Sequence, residues 1–469
     1  MTIEFLPDIA LLEVFDCYVN QAREEERGDE EGWLKIQAWY TLVHVCRQWW
    51  TIVLGSPRRL GLRLFCTEKT PVKETLTVWP PLPIVIGQYG PPTQTDNIVL
   101  ALEHNDRVCE VGLLNITRSQ LEEVLAAMQQ SFPALTDLTI CLLEWDDYWW
   151  EDEPLEDQMV VPESFLGGSA PRLRCLQLQH VPFPGLPKLL LSATGLVDLH
   201  LWKLPHSGYI SPEAMVRCLS TLTVLKEFTI GFKSPLSRPA RETRHPHPPT
   251  RLALPALTYF RFEGVSEYLE GLVARIDAPL LDTLDIRFFH QLIFDTPQLA
   301  QFVARTPNTR PPVEARIAFY DRYVEVTSPR TFLRKFVLGI RCRQLDWQLS
   351  SLTQVCGSSF PDAFISMVEH LYIVDWHPFW QDDIEDSQWL EVLHPFTAVK
   401  CLFLSRGFAS RITPALQELA GEVLPSLQNL FLKDLHTSAP FQGAIGKFVA
   451  ARQLASHPIV VHHYDGILH

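Results

Sequence analysis

Apolar positions in the first sixty residues follow helical spacing. From Trp33 to Leu54, polar residues recur at steps of three and four, so a helix here carries one narrow polar stripe and apolar side chains around the rest. A preceding helix is predicted over about Asp8 to Asn20, with two apolar rows. Surface helices usually carry a narrower apolar face. We therefore expect burial on two sides, one against this chain and one against a second protein.

From about residue 100 the chain repeats the pattern apolar-x-x-apolar-x-apolar. Copies of this pattern, each predicted to contain a strand, begin at Val108, Leu135, Leu173, Leu196, Leu225, Leu257, Leu281, Leu333, Val368, Val399 and Leu427. A proline stands two residues before the first leucine in several copies, at Pro133, Pro171, Pro255, Pro279 and Pro425. Proline at that place fits the entry to a strand, where no ladder hydrogen bond is yet needed.

Helices are predicted between the copies, over residues 120–130, 211–222, 266–276, 296–304 and 413–424. Strand and helix alternating every ~20–40 residues is typical of a leucine-rich-repeat solenoid. The predicted fold is therefore α/β, with parallel strands on a concave side and helices outside. We place a helical domain at residues 1–60 and the repeats at 61–469, with inserts near 144–157, 235–251 and 376–389.

The turn after each predicted strand lacks the asparagine or cysteine typical of such repeats. Eight residues after the first apolar position stand Leu143, Val181, Leu204, Val265, Phe289 and Leu435. Without an asparagine ladder, an irregular arc is expected rather than a regular horseshoe.

Composition narrows the functional classes. The 469 residues are 46% hydrophobic and 20% charged, as in a folded protein with a core. The net charge of -15 argues against a nucleic-acid partner, which would select a basic surface. The sequence contains no apolar run of ~18 residues, so no membrane span is predicted. Ten cysteines without a Cys-x-x-Cys pair predict reduced thiols, and the expected localisation is cytoplasmic and/or nuclear.

Motifs for catalysis are missing from the sequence. There is no phosphate-binding glycine loop with its lysine and no Gly-x-Ser-x-Gly elbow. The close histidine pairs, His245/His247 and His462/His463, lack the i, i+4 spacing of a metal-binding helix. We expect a protein that is not an enzyme, with no catalytic residue, metal or cofactor.

An insert rich in acidic and aromatic residues is the candidate target-binding segment. Its carboxylates would attract a basic partner and its aromatic rings would supply contact area. The residues are Trp145, Asp146, Asp147, Tyr148, Trp149 and Trp150. Two alternatives remain open: the rings fold back onto the repeats, or the segment pairs with the basic insert at 237–251.

The opening helices resemble an F-box. The family pattern of Leu-Pro, a leucine-rich helix and Val-Cys-Arg-x-Trp is matched by Leu6, Pro7, Leu11, Leu12, Glu13, Phe15, Leu42, Val45, Cys46, Arg47 and Trp49. Ile9-Ala10 replaces the usual Glu-Leu, and a charged segment at 23–31 separates the two helices. The whole chain is similar to fungal F-box proteins with degenerate leucine-rich repeats.

This resemblance implies a non-catalytic substrate receptor of an SCF-type cullin–RING ubiquitin ligase. Its partners would be a Skp-family adaptor, a cullin and an unknown protein target held by the repeats. The implied adaptor-binding residues are Leu6, Pro7, Leu11, Leu12, Phe15, Val45 and Trp49. The alternative is an interaction scaffold outside any ubiquitin ligase, in which the helices only cap the repeats.

Overall fold

The computed structural model describes residues 6–24, 38–88, 95–142, 161–235, 250–306, 313–328, 335–342, 344–359, 365–375, 386–405, 423–433 and 439–464, with Phe408, Ile412 and Leu416. The chain divides into two compact units, Met1–Ile210 and Ser211–His469. We call them the first and the second unit.

The first unit begins with helices and continues as alternating strands and helices. Its helices are α1 (Asp8–Glu24), α2 (Ala38–Val43), α3 (Arg47–Gly55), α4 (Val72–Val78), α5 (Asp96–Leu102), α6 (Arg118–Ala127) and α7 (Leu186–Ser192). Its strands are β1 (Leu64–Cys66), β2 (Ile84–Gln88), β3 (Val108–Ile116), β4 (Asp137–Leu142), β5 (Cys175–Gln179) and β6 (Asp198–Leu204).

These six strands lie side by side in chain order, and every neighbouring pair is parallel. Their register aligns the repeat positions: Leu138 pairs with Leu176, which pairs with Leu199. All three side chains are buried, so equivalent leucines form continuous rows across the strands. The predicted repeat motif is confirmed in this unit as a strand with one buried face.

A left-handed residue ends three of these repeats. Asn115, His180 and Lys203 have φ of 59°, 59° and 51°, and each stands seven residues after the first apolar position of its copy. The next residues, Ile116, Val181 and Leu204, are buried. The left-handed residue redirects the chain so that this apolar side chain enters the core, where a regular repeat would place asparagine.

Lys203→Gly is expected to raise the free energy of unfolding by about 0.5–1 kcal/mol, because glycine adopts positive φ without the cost that a Cβ imposes. Lys203→Val should lower it, since a β-branched residue tolerates this conformation least. Urea unfolding of the three proteins measures both changes. Equal stabilities would show that the left-handed turn carries no strain.

The second unit again alternates strands and helices. Its helices are α8 (Pro212–Leu219), α9 (Ser266–Val273), α10 (Pro297–Arg305), α11 (Leu345–Ser359), α12 (Asp386–Leu393) and α13 (Ala439–Leu454). Its strands are β7 (Glu227–Phe232), β8 (Leu252–Ala253), β9 (Tyr259–Gly264), β10 (Ile276–Asp277), β11 (Thr283–Phe289), β12 (Glu314–Phe319), β13 (Tyr323–Thr327), β14 (Lys335–Arg341), β15 (His370–Asp375), β16 (Cys401–Leu404), β17 (Asn429–Lys433) and β18 (Val460–Tyr464).

Within this unit the strand order is β7-β9-β11-β14-β13-β12-β15-β16-β17-β18, while β8 and β10 form a separate pair. The prediction of parallel strands throughout is wrong at one place. β12 and β13 form an antiparallel hairpin, and β13 is also antiparallel to β14. The turn closes with the Tyr320 N–H donating to the Tyr323 carbonyl at 2.8 Å. The hairpin sets β14 beside β11, out of chain order.

Two other details differ from the sequence prediction. The helix expected over 33–54 is broken at Cys46, which is extended at φ -159° and precedes α3. The predicted insert near 376–389 overlaps α12, where Trp389 is buried with its ring 5.1 Å from that of Phe408. The sequence prediction noted only an insert that mixes tryptophan with acidic residues, and in the structure Trp389 belongs to the core.

A half-buried carboxylate joins two helices of the second unit. Glu270 on α9 accepts hydrogen bonds from the backbone N–H groups of Gln298 and Leu299 at the start of α10, both at 2.8 Å. Burial raises the pKa of Glu270 to about 6, even though these two hydrogen bonds act to lower it. The carboxylate therefore satisfies helix-terminal donors at an electrostatic cost.

Because this folded pKa lies above the ordinary glutamate value of 4.5, the folded state binds the proton more tightly than the unfolded state. The Glu270 contribution to stability is therefore lost as pH rises from about 4.5 to about 6. Relative to Glu270→Gln, wild type should lose about 1 kcal/mol of unfolding free energy across this window, because solvent screening weakens the effect at a partly exposed carboxyl. Urea unfolding at pH 4.5 and pH 7 tests this; parallel pH profiles for both proteins would contradict it.

Candidate protein-binding surfaces

The N-terminal helices form a small core of their own. Leu11, Leu12, Phe15 and Val19 occupy one sector of α1 and are buried. The ring of Phe15 lies 4.7 Å from that of Trp49 on α3. Spacing of three and four residues places these side chains on one helix face, which is why they pack together.

The seven implied adaptor-binding residues divide into two groups in the structure. Leu11, Leu12 and Phe15 are in the core of the helices. Leu6, Pro7 and Val45 are exposed, and Trp49 is half-buried. The structure therefore offers only the second group to a partner, while the first group holds the helices together.

Four further apolar side chains are exposed on the same helices: Ile9, Val14 and Tyr18 on α1, and Trp50 on α3. The sequence pattern had assigned the α1 residues to apolar rows without separating inner from outer positions. Large apolar side chains clustered at a surface mark interaction sites more often than single ones do.

The helices are also attached to the first repeat. The Trp39 indole N–H donates to the Arg63 carbonyl at 3.1 Å, and its ring lies 5.1 Å from that of Trp79. Arg59 forms an ion pair with Glu13 of α1. These contacts cover the end of the repeats next to β1, so the helices act as a cap as well.

In the second unit, the sheet face opposite the leucine rows carries a charged network. Asp285 on β11 lies 3.5 Å from Arg261 on β9 and 3.2 Å from Arg287 on its own strand. Glu263, of which only 1% of the side chain is exposed, binds Arg341 on β14 at 2.6 Å. Buried charges are tolerated when paired in this way.

Tyrosines extend this network onto the hairpin. The Arg287 guanidinium lies 6.0 Å from the centre of the Tyr323 ring, and Tyr320 stacks on Tyr323 at 4.1 Å. The Tyr320 hydroxyl donates to Glu325 at 3.2 Å. Burial, and then the Glu325 charge, raise the pKa of Tyr323, so its hydroxyl stays protonated at neutral pH.

A row of stacked rings follows on the next strands. Tyr372, Phe403, Phe431 and His462 are register partners on β15 to β18, with centroid distances of 4.2, 4.4 and 4.6 Å. All four are half-buried. Charged and aromatic groups on rigid strands suit a binding surface, because their positions are fixed before a partner arrives.

Several cysteines in the described regions are buried. Burial raises the pKa of the thiols of Cys66, Cys141 and Cys218 to about 11, so these cysteines are protonated and poor nucleophiles at neutral pH. No group of three or more His, Cys, Asp or Glu among the described residues is arranged to hold a metal ion. Within the same regions, no helix has the length and apolarity to cross a membrane.

The predicted target-binding residues lie outside the described residues, as does most of the basic insert. They are Trp145, Asp146, Asp147, Tyr148, Trp149 and Trp150. Their role stays a prediction.

The charged sheet face of the second unit was missed by the sequence prediction, because its residues fall between the leucines of the motif. Their alternate spacing could have revealed it: Arg261 and Glu263 on one strand, Asp285 and Arg287 on the next.

Arg341→Met should lower the unfolding free energy by up to about 3–5 kcal/mol, because it removes the cation that lies 2.6 Å from the buried Glu263 carboxylate. The double variant Arg341→Met/Glu263→Gln should regain more than about 1 kcal/mol of that lost unfolding free energy. Arg322→Met is the control: this arginine pairs with exposed Asp321, and its loss should cost under about 1 kcal/mol. Equal effects of the Arg341 and Arg322 changes in urea unfolding would exclude a structural role for the buried pair.

Comparisons with known proteins identify no family. No family profile matches the chain, and no curated protein matches it. Solved structures similar to it include the leucine-rich repeat-containing protein LegL7 from Legionella pneumophila, at 13% identity and TM-score 0.26, covering 85% of this chain and 98% of that one. A leucine-rich-repeat protein of Leptospira interrogans aligns at 11% identity and TM-score 0.26, covering 81% and 89%. These scores do not establish a common fold, so assignment to the repeat class depends on the strands and helices described above.

Proposed function

We propose that this chain is the substrate-receptor subunit of an SCF-type cullin–RING ubiquitin ligase. In this proposal the N-terminal helices dock on a Skp-family adaptor and the repeats hold a protein target. The observation that carries it is a small helical module that keeps its own core and still exposes large apolar side chains, among them Ile9, Val45 and Trp50.

Exposed apolar surface supports docking because covering it releases water from both partners. Burial of one side chain such as Val45 contributes about 1.5–3 kcal/mol, so a few residues supply a useful fraction of a binding energy. The F-box-like motif supports the same assignment, since Leu6, Pro7 and Val45 are accessible.

The repeats would supply the surface for the target. Their sheet face in the second unit carries half-buried arginines and aromatic rings on adjacent strands, and buried carboxylates hold the arginines. Such side chains are frequent among the residues that dominate protein interfaces. The target itself is not identified by this surface.

A second candidate is a repeat scaffold that joins no ubiquitin ligase. The observation in its favour is the burial of Leu11, Leu12 and Phe15 together with the attachment of Trp39 to Arg63. Repeat arrays require caps, and these contacts are what a cap needs.

Val45→Asp separates the two candidates. Val45 is 56% exposed in the turn between α2 and α3, so aspartate should leave the fold intact and reduce co-purification of the adaptor and cullin at least about tenfold. Val78→Asp is the matched control, because Val78 is 72% exposed on α4, outside the N-terminal helices. Affinity purification from cells, with the melting temperature of each variant, measures the outcome. If wild type and Val45→Asp capture the same amount of adaptor and cullin, or wild type captures none, the scaffold candidate is favoured.

A further inference from the structure

A second apolar surface lies at the carboxyl ends of β11 and β14. Leu292 and Ile293, in the loop between β11 and α10, are 86% and 77% exposed, and Trp347 in the first turn of α11 is 47% exposed. We call Leu292, Ile293 and Trp347 the apolar patch. Two consecutive aliphatic side chains so fully in water are costly unless something covers them in the working protein.

The loop that carries the patch is held on both sides. Before it, the His290 ring stacks on Trp347 at 4.9 Å and 10°, and His290 Nδ1 lies 3.2 Å from the Ser351 hydroxyl. After it, the Phe294 N–H donates to the Gln354 side-chain oxygen at 3.2 Å.

These three anchors, Trp347, Ser351 and Gln354, stand at i, i+4 and i+7 on α11 and so share one helix face. The loop therefore lies along the helix. Phe294 is buried, with its ring 5.7 Å from that of Phe288, which fixes the loop from the core side. Leu292 and Ile293 are consequently presented in a fixed position, and binding through them costs little ordering entropy.

The described charges beside the patch are mainly negative. Asp295 is exposed two residues after Ile293, Asp346 precedes Trp347, and Glu267 lies 3.5 Å from Gln291. Burial lowers the pKa of His290, so its ring is neutral at pH 7. The Arg341 guanidinium is bound by Glu263 on the sheet. An apolar centre with carboxylates around it complements an apolar segment flanked by cations.

We propose that the apolar patch binds a basic amphipathic segment of a partner protein, with its apolar side chains on Leu292, Ile293 and Trp347 and its lysines or arginines near Asp295, Asp346 and Glu267. This surface is separate from adaptor docking, which is assigned to the N-terminal helices of the first unit. It therefore holds for a ligase receptor and for a scaffold alike.

The test uses the full chain and two fluorescent 18-residue helical peptides. Both carry leucine on one face; the other face carries lysine in one peptide and glutamate in the other. We expect the lysine peptide to bind at least about tenfold more tightly. The double variant Leu292→Ser/Ile293→Ser should weaken its binding at least about tenfold.

A matched double variant keeps the total charge and removes exposed apolar residues elsewhere in the same unit. Val224→Ser/Leu280→Ser serves this purpose, since both residues are exposed, and it should bind like wild type. Asp295→Lys, which leaves the patch intact, should weaken the lysine peptide and reduce the salt dependence of its affinity.

Three results would overturn the proposal. The first is equal affinity for the two peptides, and the second is equal weakening by the patch variant and its matched control. The third is a concentration-dependent dimer of the wild-type chain in sedimentation that the patch variant abolishes, which would make a second copy the occupant. If the Asp295→Lys variant binds the lysine peptide as tightly as wild type does, the charge assignment is also wrong.

Discussion

The repeat strands of this protein, from β3 to β6, each have an apolar face that only neighbouring elements can cover. Leu138, Leu176 and Leu199 are buried because parallel register brings them side by side across three strands. A single strand and helix would leave most of that surface in water, so no repeat is stable alone. The requirement fixes the parallel register, the spacing of the leucines and the need for a cap at the end of the row.

The need to bury leucines applies to one face of each repeat strand and not to the opposite face. Alternate residues there lie outside the leucine rows, so their chemistry is set by their own interactions, of which the buried Glu263–Arg341 pair is one. In the second unit, this face carries the Asp285 and Glu263 ion pairs and the stacked rings from Tyr372 to His462. The antiparallel hairpin contributes as well, because it places Tyr323 beside Arg341 in register.

Leucine spacing is a local signal, and it predicted the repeated strands and four of the helices between them, α6, α8, α9 and α10. The strand order around the hairpin β12–β13 could not be predicted in this way, because it depends on β11 pairing with β14 and β12 pairing with β15, which are far apart in sequence. Trp389 was assigned to an insert that mixes tryptophan and acidic residues, but tertiary packing buries its ring against that of Phe408. The apolar patch was missed because exposure is decided by packing and not by residue type.

The N-terminal helices show why residue type alone does not define a docking surface. Phe15 and Val45 both match the F-box-like motif, but one holds α1 to α3 and the other meets solvent. Replacing Phe15 would unfold the module and remove any interaction indirectly, so loss of binding would carry no information about contact. Val45 can be changed without opening the core. Only substitutions at exposed motif residues such as Val45 can therefore distinguish a docking module from a cap.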